Sequence, residues 1–172
     1  MNLREATPMD VPELVTVGRQ SFIDAFGHLY KADDLQSFLD DWRSPERFAA
    51  HVGDSRSHLI VAELDGAIEG YCLTVIGKGF DERPDPKPKH PAMLSQLYCM
   101  QSATGRGMGA ALLENALAEA RARECDAIQL SVYAENFGAQ RFYQRYGFTK
   151  VADIDFWVGN HRDDEFLYEL TL

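Results

Sequence analysis

The segment Thr104-Gly105-Arg106-Gly107-Met108-Gly109-Ala110 places glycine at every second position between an apolar run and an alanine- and leucine-rich stretch. Glycine lets backbone N–H groups approach an anion closely, and a helix that starts there adds its positive dipole end. Such a turn suits a phosphate or pyrophosphate. A P-loop is excluded, because Lys followed by Ser or Thr must come after the last glycine and Ala110-Ala111 stand there instead. A dinucleotide turn is closer, since Gly105, Gly107 and Ala110 fit G-x-G-x-x-A. That turn opens its domain and needs an acid near the end of the next strand. Here most of the chain precedes the motif, and the next apolar run ends in Val132-Tyr133. The third ligand of this kind is coenzyme A, with its 3′-phospho-ADP pyrophosphate.

A second constellation follows at Asn136-Phe137-Gly138-Ala139-Gln140-Arg141-Phe142-Tyr143-Gln144-Arg145-Tyr146-Gly147-Phe148. Asn136 reads as a helix cap, and Tyr143 lies on an apolar face with Ala139, Phe142 and Tyr146. Together, the glycine loop and this segment resemble the two signatures of GNAT acetyltransferases, Q/R-x-x-G-x-G/A and N-x-x-A-x-x-F-Y-x-x-x-G-F. Thr104 departs from the Gln/Arg position of the first; the second matches at every fixed position.

The resemblance implies a mixed α/β fold, the GNAT fold, whose central, strongly twisted sheet of about six to seven strands has helices on both faces. It implies acetyl-CoA as co-substrate, held by Thr104, Gly105, Arg106, Gly107, Met108, Gly109, Ala110 and Asn136. It also implies that the strands ending near Met100 and Tyr133 splay apart. The pantetheine arm would then pair with the backbone of Leu97 and Cys99, one N–H polarising the thioester carbonyl. Tyr143 takes the place of the general acid for the leaving thiolate. The Cys99 side chain itself reads as a small buried hydrophobe. The implied activity is acetyl-CoA-dependent N-acetyl transfer to a primary amine, by direct attack on the thioester in a ternary complex.

Family members often carry a glutamate base on the strand before the loop; Ser95 stands there here, beside Gln96. Asp24, His28, His51 and Glu135 are substitutes that also read as ordinary surface or helix residues, and no base is assigned. The alternative from another class is a non-catalytic acyl-CoA sensor or interaction module on the same scaffold. Thr104 and Ser95 favour it; Asn136 and Tyr143 oppose it.

The acceptor region reads Ser21-Phe22-Ile23-Asp24-Ala25-Phe26-Gly27-His28-Leu29-Tyr30, then Asp33-Asp34-Leu35 and Phe38-Leu39-Asp40-Asp41. Aromatics beside carboxylates suit an alkylammonium. This stretch, and the tail Phe156-Trp157-Val158-Gly159, resemble small bacterial spermidine/spermine acetyltransferases, which makes a polyamine the expected acceptor. Phe22, Phe26, Phe38 and Leu39 at helical spacing read equally well as core.

These residues need elements to position them. Leu3–Ala6 reads as a short strand. Thr7-Pro8 opens a helix to about Phe26. Ala32–Asp41 and the stretch from Ser44-Pro45 are further helices. Leu59–Leu64 and Ala67–Ile76 flank Asp65-Gly66, a dipeptide that favours a tight primed turn. Gly77–Pro91 is loop and Met93–Met100 a buried strand. Gly107–Glu124 is an amphipathic helix, Ala127–Tyr133 a strand, and Asn136 to Gly147 a capped helix. Phe148–Val158 and Glu165–Leu172 close as an antiparallel pair.

The 172 residues suit a single domain over 1–172, and the net charge of −10 opposes nucleic-acid binding. Cys72, Cys99 and Cys125 form no CxxC pair, so neither a disulfide framework nor a metal site is expected. No stretch reads as a signal peptide or membrane span, and a cytoplasmic location is the expectation. A homodimer is compatible with the sequence.

Overall fold

A computed structural model describes residues 1–172. The chain runs β1 (Asn2–Glu5), α1 (Val11–Phe26), α2 (Ala32–Trp42), α3 (Pro45–His51), β2 (Ser57–Leu64) and β3 (Ala67–Ile76). It continues through β4 (Pro91–Cys99), α4 (Met108–Ala122), β5 (Ala127–Tyr133), α5 (Phe137–Arg145), β6 (Thr149–Val158) and β7 (His161–Thr171). Seven strands form one sheet in the order β1-β2-β3-β4-β5-β7-β6. Every neighbouring pair is antiparallel except β4–β5. This is the mixed α/β architecture expected from the sequence.

Alternation along the strands feeds two cores. On β2, Ile60 and Ala62 turn toward α4 and α5, while Leu59 and Val61 turn toward α1 and α3. Met108, Leu112, Leu113, Ala116 and Leu117 form the buried stripe of α4. Phe22, Phe38, Leu39 and Val158 form a smaller cluster where α1, α2 and β6 meet. No helix is long and apolar enough to cross a membrane.

Local chemistry sets most boundaries. The Asp65-Gly66 turn has φ of +53° and +86° at its two residues, as a primed hairpin turn requires. Ser44 caps α3 by accepting from the Arg47 N–H at 3.2 Å. The first helix starts later than expected. Pro12 has no N–H to give to the Pro8 carbonyl, so Val11 bonds that oxygen instead and Pro8–Asp10 wind as a 3₁₀ turn. The other difference is β7, which begins at His161 and not near Glu165. Its charged start is stabilised across the hairpin, where Arg162 bonds Asp155 at 2.5 Å and Asp164 at 2.9 Å.

Candidate active site

β4 and β5 pair only over Pro91–Met93 and Ala127–Gln129. Beyond Met93 they part. Leu73 of β3 stands opposite Gln96 while Thr74 stands opposite Leu94, so Ser95 is the extra residue of a bulge that bends β4 away. Past the bulge, the Met100 N–H donates to the Glu69 carbonyl at 2.7 Å, on the β3 side. By antiparallel alternation the Leu97 and Cys99 amides face the gap, where no strand receives them.

Below the gap, Gly105 and Gly107 adopt φ of +79° and +77°. Gly107 is the N-cap of α4, and the first helical bond runs from the Ala111 N–H to its carbonyl at 3.0 Å. The amides from Gly105 to Ala110 donate to nothing in the chain. A Cβ on Gly105 or Gly107 would meet no atom within 4 Å. The result is a concave, solvent-open row of donors at a helix N-terminus, which fits a pyrophosphate. Arg106 is exposed beside it, without a carboxylate partner. The Thr104 hydroxyl turns back to the Met100 carbonyl at 3.4 Å. Met108 contributes only its amide, for its sulfur is buried against Gly70, where an added Cβ would come within 2.7 Å.

The gap opens into a cavity of about 780 Å³, a size typical of small-molecule sites. Leu97, Asn136, Ala139 and Tyr143 line it, as do Phe22, Phe26, Tyr30, Phe38 and Arg43. Asn136 caps α5 by accepting from the Ala139 N–H at 3.1 Å, and so holds the start of that helix at the cavity wall. Tyr143 is 9% exposed, and no hydrogen bond within the chain engages its hydroxyl. Burial holds its pKa above the usual tyrosine range, so it stays protonated. Burial pushes the Cys99 thiol up to about 11, in keeping with an unreactive packing role.

None of Asp24, His28, His51 or Glu135 lines the cavity. Asp24 is bonded by Gln20 at 2.7 Å, Glu135 by the Tyr133 hydroxyl at 2.9 Å, and His51 lies 2.8 Å from Ser57. Ser95 does line it, and a hydroxyl is no base at neutral pH. Five carboxylates line the cavity, Asp33, Asp34, Asp41, Asp155 and Glu165, and only Glu165, on β7 opposite Tyr133 of β5, is buried. It is 9% exposed, and its Oε2 has no hydrogen-bond partner. Desolvation, reinforced by the negative charge of Asp163 and partly offset by the nearby Ser131 hydroxyl, raises its pKa to about 7. Asp163 is occupied otherwise, accepting from the Tyr30 hydroxyl and lying 3.1 Å from His161.

The carboxylates expected at the entrance divide. Asp33, Asp34 and Asp41 line the cavity. Asp24 does not, and Asp40 is paired with Arg19 at 2.9 Å. Phe22 and Phe38 serve both readings: they are 2% and 4% exposed in the core, with edges on the cavity.

The chain is similar to known acetyltransferases along nearly its whole length. An N-acetyltransferase of Mycobacterium tuberculosis (strain H37Rv) is 30% identical over 158 residues, 92% of this chain and 95% of that protein. The 5-NmdU N-acetyltransferase of Pseudomonas phage PaMx11 is 27% identical over 155 residues, 88% of this chain and 89% of that one. In fold, the chain superimposes on the PaiA N-acetyltransferase of Thermoplasma acidophilum, solved with coenzyme A, with a TM-score of 0.80. That match covers 99% of this chain and 98% of the other at 20% identity. Since residues 20–148 also match the model of the acetyltransferase (GNAT) family, the chain belongs to that family.

Proposed function

We propose that this acetyltransferase carries an acetyl group from acetyl-CoA directly to a primary amine bound in the cavity between β4 and β5, with Glu165 as the base and Tyr143 as the acid. The observation that carries this reading is the placement of Glu165. It is a buried carboxyl with one unpartnered oxygen, in the same cavity as the Tyr143 hydroxyl.

The residues divide the work by position. The amides from Gly105 to Ala110 and the exposed Arg106 would bind the phosphates, and Asn136 would contact the arm. Leu97 and Cys99 offer the backbone N–H groups that would hold the arm and the thioester oxygen. Acetyl-CoA supplies the activated acyl group. An alkylammonium near pKa ~10.4 must lose a proton before it can attack. Glu165, with its pKa raised to about 7, is partly ionised in neutral solution and basic enough to accept that proton. Tyr143 holds its proton across the working range and gives it to the departing sulfur. A phenol is a weaker acid than a thiol (~10 against ~8.5), so its contribution is bounded. Tyr143→Phe is expected to leave acetyl-CoA affinity and folding intact and to lower turnover by roughly 10²–10⁴. Unchanged turnover across pH would make Tyr143 a packing residue.

Asp33, Asp34 and Asp41 give the entrance a negative field that favours a cationic acceptor, and a polyamine belongs to that class. Such a field is screened within about 8 Å at physiological salt. The KM for spermidine is therefore expected to rise with added salt while that for a neutral amine stays level. A KM for spermidine that ignores salt would remove the rim from acceptor selection. A thiol-release assay over a panel of amines tests the function itself, and release without any N-acetylated product would overturn it.

A further inference from the structure

Only two buried side-chain nitrogen or oxygen atoms in the chain lack a hydrogen-bond partner: Nε of Arg43 and Oε2 of Glu165. Both side chains line the same cavity. They do not pair with each other, and no carboxylate lies within ion-pair distance of Arg43. Elsewhere the chain treats embedded charges differently. Arg4 is held by Asp10 at 2.8 Å and Glu63 at 2.6 Å, and Arg83 by Glu169 at 2.9 Å.

Arg43 is 4% exposed at the end of α2. Its Nη1 donates once, to the Trp42 carbonyl at 3.2 Å. Its guanidinium carbon lies 5.6, 5.5 and 5.2 Å from the ring centres of Phe22, Phe38 and Tyr98. The rings attract the cation and fix its plane, and the Tyr71 and Tyr98 hydroxyls also lie against the guanidinium. Nε is left without a partner, and no carboxylate answers the charge, which leaves room for an acceptor of matching geometry. A guanidinium fork matches a carboxylate or a phosphate in that way.

We infer that the amine acceptor also carries an oxyanion, a carboxylate or a phosphate, which Arg43 binds while Glu165 receives the amine. This rests on the acetyl-transfer reading above and narrows its acceptor from amines in general to small amino acids and aminophosphates in the chemical sense: one amine and one anionic group on a short apolar body. A simple polyamine satisfies the rim and leaves the Arg43 charge unanswered. Lys78 also lines the cavity and adds a second positive charge on that side of the balance.

The test uses matched acceptors of one length: 4-aminobutyrate, n-butylamine and putrescine, with phosphoethanolamine against ethanolamine as the phosphate arm. The intact enzyme is expected to show kcat/KM at least about tenfold higher for the anionic member of a pair, mainly through KM. The carboxylate and phosphate arms report which anion is preferred. In Arg43→Gln the anionic-to-neutral ratio is expected to collapse toward one, with Arg43→Lys recovering part of it. A purely structural arginine would lower every acceptor in the same proportion and leave the ratio untouched; that result overturns the proposal. So does a preference for putrescine over 4-aminobutyrate. If none of the probes is acetylated, the same pairs are compared for thermal stabilisation of the enzyme with coenzyme A bound, and the absence of Arg43-dependent stabilisation by the anionic member overturns the proposal. Acetylation of all amines regardless of charge would sink this inference alone. Failure to bind acetyl-CoA or to acetylate any amine would sink the function beneath it.

Discussion

Glu165→Gln is expected to lower kcat/KM by roughly 10²–10⁴ near neutral pH and to change the shape of the pH profile. In the parent enzyme the rate should climb with an apparent pKa of about 7, where Glu165 loses its proton. In the variant that limb should vanish, and the rate should instead keep rising toward the amine's own pKa of ~10.4, since only free amine can then attack. The charge that acts on Glu165 is Asp163 on its own strand; Arg43, Lys78, Asp33, Asp34, Asp41 and Asp155 line the same cavity, as do Tyr98 and Tyr133. Burial holds both tyrosines above their usual range, so neither titrates in place of Glu165 near neutrality.

The same variant should be more stable than the parent. Glu165 has its pKa raised from 4.5 to about 7 on folding. A raised carboxyl contributes stability below its unfolded pKa and loses that contribution as pH rises through its folded pKa. The parent therefore loses stability as pH rises from about 4.5 to 7 and stays destabilised above that, relative to a chain with no charge there. At pH 8 the difference is about 3 kcal/mol at most. Thermal unfolding at acid and alkaline pH checks this. A stabilised but slow enzyme is the signature of a strained functional carboxylate, whereas a variant both slow and less stable would make Glu165 structural.

Gly107→Val is expected to weaken acetyl-CoA binding by roughly 100-fold or more, about 2.7 kcal/mol. Two effects act together. A β-branched residue resists the φ of +77° held at this N-cap, at a cost of about 1–3 kcal/mol. Its side chain would also project into the open space in front of the free amides. Because that space is solvent and not core, the fold should survive, and calorimetry can separate lost binding from lost folding. Affinity equal to the parent's would remove the phosphates from this loop.

Much of this was legible because it was local. The glycines of the 104–110 loop, the Asp65-Gly66 turn and the Asn136 cap each state a backbone requirement in one or two residues, and the structure meets them. The departure of β4 from β5 was implied only through family resemblance, and the bulge at Ser95 that produces it was not foreseen. Glu165 was missed because its place depends on β7 entering the sheet between β5 and β6, a pairing across distant segments. The stretch His161–Asp164 looks too charged for a strand until the cross-strand bonds of Arg162 are seen. One signal was present: Asp163, Glu165, Leu167 and Glu169 alternate onto a buried face, and acids in such positions are held for a reason. Arg43 escaped notice for a similar cause. It follows a helix whose carboxylates suggested a cationic guest, and nothing local reveals that the arginine is buried without a partner.

The claim that a cavity carboxylate drives acetyl transfer to an amine is tested most directly by one pH series. Thiol release and N-acetylated product are quantified together for 4-aminobutyrate and n-butylamine, in the parent and in Glu165→Gln. The predicted result is equal amounts of thiol and N-acetyl product, with a parent limb near pH 7 that is absent from the variant. Identical pH profiles in the two proteins, or thiol released without acetylated amine, would contradict it.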